Sequence, residues 1–105
     1  MAFYLVTAKL KENKKQELKE NLKRSAFLAM EPFGRAISKS LENARIRDDG
    51  YIVWEEEDYC SPPLKQERAA VLDNYFVNID VEAVKKGEGW DKISDLPKLF
   101  PELTE

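Results

Sequence analysis

Histidine is absent from these 105 residues. Its absence removes Ser-His-Asp and Cys-His catalysis, the commonest metal ligand and the usual acid-base group near neutral pH. Cys60 is the only cysteine, so the chain holds no internal disulfide and no cysteine-based zinc site of its own. The four glycines, at 34, 50, 87 and 89, are too scattered for a phosphate-cradling loop. No run approaches the ~18 apolar residues of a membrane span, and no repeat or low-complexity tract stands out. Neither a cofactor nor a metal is expected.

What is present points to one globular domain over residues 1–105. The chain is 43% hydrophobic with a net charge of only -3, which excludes intrinsic disorder, and its length suits a single core. Charge is uneven: residues 1–47 carry +6 and residues 48–105 carry -9. The basic half interleaves its lysines with Glu12, Glu17 and Glu20, the pattern of a solvated helix face rather than a nucleic-acid arm. The apolar run near the N-terminus reads as a strand, not a signal peptide. A cytoplasmic location follows as the expectation.

Phe3 to Leu10 alternates, with Phe3, Leu5, Thr7 and Lys9 on one face and Tyr4, Val6, Ala8 and Leu10 on the other. Asn13 is a candidate N-cap for a helix whose stripe would be Leu18, Leu22, Ser25, Ala26 and Ala29. A second helix from Pro32 would present Phe33, Ile37 and Leu41. Residues 44–47 and 51–55 flank Asp48-Asp49-Gly50, the turn chemistry of a hairpin. Ser61-Pro62-Pro63 opens a helix to about Asn74, and Phe76 to Val84 is the next strand, with Val77, Ile79 and Val81 as its core side. Trp90, Ile93, Leu96, Leu99 and Phe100 in the tail predict one or two helical turns that pack back on the domain.

This order, β-α-β-β-α-β plus an extension over 85–105, is that of the ferredoxin-like α+β arrangement. It predicts a four-stranded antiparallel sheet with helices on one face over residues 3–84. The other face, holding Phe3, Leu5 and Thr7 of the first strand and Phe76, Asn78 and Asp80 of the last, would be bare and partly apolar, a surface that usually meets a partner or ligand. In this respect the chain resembles the dimeric α/β-barrel proteins, whose subunits pair sheet to sheet. The resemblance implies a homodimer, and it covers both small cofactor-independent enzymes and ligand-binding proteins. Chemistry that rests on a histidine is not carried over.

The densest polar segment, Trp54-Glu55-Glu56-Glu57-Asp58-Tyr59-Cys60-Ser61, ends a strand. Glu55 and Glu57 share a face with Tyr51 and Val53, while Glu56 joins Ile52 and Trp54. Paired carboxylates split their pKa values and offer a base; the plainer reading is a charged strand end that discourages edge pairing. Arg68 lies inside the stripe of Leu64, Val71, Leu72 and Tyr75, placed to clamp an anion or to pair with Glu57 or Asp58. Cys60 precedes a helix start but follows four acids, which oppose a reactive thiolate.

The expected function is a homodimeric binding or assembly module, with Phe3, Thr7, Trp54, Arg68 and Asn78 as its ligand or interface residues. The alternative is a cofactor-independent enzyme acting on a small aromatic or anionic molecule, with Glu55 or Glu57 as base and Arg68 as anion clamp. Nucleic acid is disfavoured by Asp80 and Glu82 on the last strand.

Overall fold

The computed structural model describes residues 2–58 and 61–104, so Cys60 lies outside the described residues. Strand β1 (Ala2–Leu10) leads into helix α1 (Lys15–Lys23) and helix α2 (Gly34–Glu42). Strands β2 (Arg45–Ile46) and β3 (Ile52–Asp58) form the hairpin, with Gly50 at φ 87° in its turn. The next helical segment runs through α3 (Lys65–Glu67), a π-helical turn (Arg68–Leu72) and α4 (Asp73–Tyr75). Strand β4 (Phe76–Val84) and helix α5 (Glu88–Lys92) follow, and a 3₁₀ turn (Pro101–Leu103) ends the described chain. The result is a mixed α+β fold with an antiparallel sheet in the order β2-β3-β1-β4.

The core lies on the helix side of that sheet. Val6, Ala8, Ile52, Trp54 and Phe76 from the strands meet Leu18, Leu22, Ile37, Leu41, Val71 and Leu72 from the helices. Period-two alternation on β1 and β3 sorts these side chains inward, and burying each large one contributes roughly 1.5–3 kcal/mol. Trp54 is wholly buried, with its ring 5.1 Å from that of Phe76. It is a packing anchor and does not reach a ligand surface.

Four local expectations are corrected. The stripe on α1 stops early: the helix ends at Lys23, Ser25 turns to φ 60°, and Phe27 enters the core while Ser25, Ala26 and Ala29 face solvent. Asn13 has φ 72° and no side-chain cap is formed; Lys14 occupies the cap position. On β4 the strict alternation fails, because the pairing with β1 slips between Thr7 and Lys9 opposite Asn78, which holds φ 56°. A bulge residue of this kind reverses the parity of the strand, so Phe76 is core and Val77 is 40% exposed.

The fourth correction concerns the bare face. After β4 the tail crosses it: α5 packs on β1 and β3, and the chain then reaches the β2 edge. There Ile46 donates to Pro97 O (2.9 Å), Leu99 donates to Ala44 O (2.9 Å), and Arg45 bridges to Lys98. Leu99 and Phe100 finish in the core itself. The tail is therefore a strap that occupies part of the face expected to be free.

One glycine is set by space rather than by backbone conformation. A Cβ on Gly34 would collide with the backbone oxygen of Phe27, and the Gly34 N–H donates to Met30 O at 2.6 Å. Gly34→Ala is expected to cost about 3 kcal/mol, since backbone rather than a flexible side chain must move. An unchanged urea midpoint would contradict this.

Candidate functional site

Because β2 is only two residues long, it pairs with Ile52 and Val53 and leaves the outer edge of β3 beyond them uncovered by strand. Helix α2 flanks that edge, and the Ser40 hydroxyl donates to the Glu55 carbonyl at 2.9 Å. The strap approaches from the other face. Between them lies a groove of about 610 Å³, within the range of small-molecule sites. Phe3, Glu55 and Glu57 line it from the sheet, Lys39, Ser40 and Asn43 from α2, Arg45 from β2, and Lys86, Gly87 and Trp90 from the strap. Phe3 and Glu57 are direct register partners, so ring and carboxylate leave the sheet side by side.

Glu55 is committed to structure. One oxygen accepts from Gly87 N (2.9 Å), the other from Gly89 N (2.7 Å) and Trp90 N (3.4 Å). Such a carboxylate takes up the free N–H groups at the start of α5 and fastens the strap. It is not available as a base. The Glu57 carboxylate forms no ion pair or hydrogen bond with any described residue and remains the one open acid of the groove. Lys39 and Lys86 likewise have no acidic partner among the described residues. Arg45 donates to Leu96 O at 2.6 Å, and its buried Nε has no acceptor among the described residues.

The structure thus brings three sequence candidates together, Phe3, Glu55 and Glu57. The others lie elsewhere. Thr7 sits midway along β1 between Val53 and Asp80, outside the groove lining. Trp54 is on the opposite, core face. Asn78 is exposed at the bulge, its amide 3.4 Å from the Tyr51 hydroxyl.

Arg68 is turned outward and meets Asp73 at 3.8 Å with both side chains about half exposed, a pair worth little. The π turn explains this. It adds a residue to the helical register, and Glu67 takes the inward place that regular spacing assigned to Arg68. Arg68 does not line the groove and does not pair with Glu57.

That inward Glu67 creates a feature that helical periodicity did not reveal: three carboxyls, Glu56, Asp58 and Glu67, buried on the core side of the sheet. Trp54 Nε1 donates to Glu56 Oε1 at 2.9 Å, and Leu64 N donates to Asp58 Oδ2 at 2.5 Å. Glu56 Oε2 and both Glu67 oxygens find no N–H or hydroxyl donor among the described residues. The Glu67 carboxyl meets that of Asp58 instead, a contact that is a hydrogen bond only when one of the two carries a proton.

Burial, reinforced by Asp58, pushes the Glu56 carboxyl up to about 7. Burial, the Asp58 contact and the negative charge of Glu56 and Asp58 push Glu67 to about 8. No group of three or more ligating side chains among the described residues can hold a metal ion. The signal was Glu56 sharing a face with Ile52 and Trp54. A carboxylate on a core face needs a partner or a proton.

No family model, no curated protein and no solved structure matches this chain. Among the described residues, no helix is long and apolar enough to cross a membrane.

Proposed function

We propose that this chain is a small ferredoxin-like binding module whose ligand site is the groove between α2 and the strap. The strand order β2-β3-β1-β4, with the core helices on one face, supports the fold. The observation that carries the binding reading is the convergence of aromatic walls, Phe3 and Trp90, with charged side chains that have no partner among the described residues: Lys39, Glu57 and Lys86. A concave site with aromatic walls and a few convergent polar groups is where ligands bind. A second depression of about 570 Å³ between α1 and the tail makes a poorer site, because its Lys19 is already paired with Glu102 at 3.1 Å.

An enzymatic reading has less support. Glu57 is open to serve as a base, but Glu55 is fastened to the strap and Arg68 lies outside the groove, so the anion clamp named for that reading is not part of the site. A sheet-to-sheet homodimer is not required either, since the strap covers part of that face, and native mass spectrometry reports the oligomeric state directly. The single cysteine suits a reducing, cytoplasmic compartment.

The test is amide-detected NMR of the purified chain with a mixture of neutral aromatic fragments (benzyl alcohol, phenol, indole) at millimolar concentration. Shifts are expected to cluster at Phe3, Ser40, Asn43, Gly87 and the Trp90 indole. Shifts spread over the surface, or confined to the α1 depression, would overturn the assignment.

A further inference from the structure

The groove has a charge pattern unlike that of the protein around it. The chain as a whole carries -3, yet the groove collects Lys39, Arg45 and Lys86, none of which forms a salt bridge with a described residue. Of its two acids, Glu55 is already occupied by three strap amides. Bonds from neutral amides leave Glu55 its charge, so the groove holds three cations against two carboxylates. Lys39, Lys86 and Glu57 are the charged side chains there without a hydrogen-bond partner among the described residues. Cations in excess over carboxylates leave the groove net positive in an acidic protein, and a bound anion offsets that excess.

Glu57 adds a second requirement. It stands two residues along β3 from Glu55, hence roughly 6.7 Å farther along the strand. Glu55 holds Gly87, and Lys86 precedes it. Glu57 is therefore an acceptor set apart along β3 from the Glu55 carboxylate that holds the strap, and Phe3 is beside it. Half-buried Trp90 supplies the other aromatic surface.

Resting on the groove reading above, we propose that the ligand is an aromatic acid with a hydrogen-bond donor at the far end of its ring. Its acid group lies among Lys39, Arg45 and Lys86, its ring lies against Phe3 and Trp90, and its donor meets Glu57. A lysine ammonium makes a point-charge contact that accepts carboxylate or phosphate alike, so the acid group is defined by charge. An unionised donor such as a hydroxyl suits Glu57 without opposing the cations.

Three probes separate the requirements: phenylacetate, 4-hydroxyphenylacetate and tyramine, titrated at pH 7 and followed by the amide signals of Ser40, Asn43 and Gly87. Both acids are expected to bind, the hydroxylated one about threefold to tenfold more tightly, and the tyramine cation is expected to give no groove shifts. Combining Lys39→Gln with Lys86→Gln is expected to weaken both acids about tenfold or more. Both side chains are exposed, so this variant keeps its fold, which its amide spectrum checks.

Glu57→Gln is expected to remove most of the advantage of the hydroxyl while phenylacetate still binds. Tyramine binding in the groove as tightly as the acids, or acid binding indifferent to the lysine pair, overturns the ligand class. So does silence with both acids; neutral fragments that still map to the groove then leave the site standing with another ligand, and their failure removes the site as well.

Discussion

Raising the pH from 5 to 8 is expected to lower the melting temperature by about 15 °C or more. Glu56 and Glu67 titrate near 7 and 8 in the folded chain, against 4.5 when unfolded. Between those limits the folded state holds protons that the unfolded state has released. Stability therefore falls as pH rises, is level below about 4.5, and levels again above about 8.

This is opposite in sign to the usual salt-bridged carboxylate. Each tenfold gain in proton affinity on folding corresponds to roughly 1.4 kcal/mol. Relaxation of so tight a cluster brings the total to on the order of 3–5 kcal/mol, a large part of a domain's stability.

Glu67→Gln isolates the cause. The amide keeps the shape of the protonated carboxyl and can donate to Asp58 at any pH. The variant is expected to match the parent near pH 5 and to melt several degrees higher at pH 8. A level melting profile from pH 5 to 9, or a variant that loses stability equally at both ends, would show that the fold holds no such buried proton.

Glu55→Ala should be the most damaging single change to the groove. It deletes the acceptor for Gly87, Gly89 and Trp90 at once, with Gly89 buried. Hydrogen bonds to a charged group contribute about 1.5–3 kcal/mol each, and orphaned buried donors add to the loss. Two of the three bonds are short and the Trp90 one is long, so a stability loss of about 3 kcal/mol or more is expected, with rapid hydrogen exchange at residues 87–90 and loss of binding in the groove. Glu55→Gln keeps one acceptor oxygen and should fall between. Unchanged protection of the Gly89 amide in Glu55→Ala would show that the strap is held by its apolar contacts alone.

Much of this arrangement was legible in the chain. The alternation from Phe3 to Leu10 assigned both faces of β1 correctly, because a pleated strand with one buried face leaves no other sorting. Asp49-Gly50 marked the hairpin, since only a residue tolerant of positive φ closes such a turn. The pairing of Glu55 with Glu57, and of Glu56 with Trp54, followed from the same period. Of the groove lining, Phe3, Glu55 and Glu57 were already candidates in the sequence, Phe3 from the bare sheet face and the two acids from their shared face at the strand end. Lys39, Arg45, Lys86 and Trp90 were missed as groove residues, because residues far apart in the chain meet there only after folding.

Three matters were decided by tertiary structure alone. The bulge at Asn78 exists because β4 must keep pairing with β1 while Phe76 reaches the core, and local alternation could not reveal that exchange. The π turn at Arg68–Leu72 set Glu67 inward and Arg68 outward, a choice between neighbours that helical periodicity leaves nearly degenerate. The path of the tail was fixed by contacts between distant parts of the chain, from Glu55 to Gly89 and from Ala44 to Leu99. Composition and period specify which residues need burial; which surface each one buries against depends on long-range packing, and that is where this groove was made.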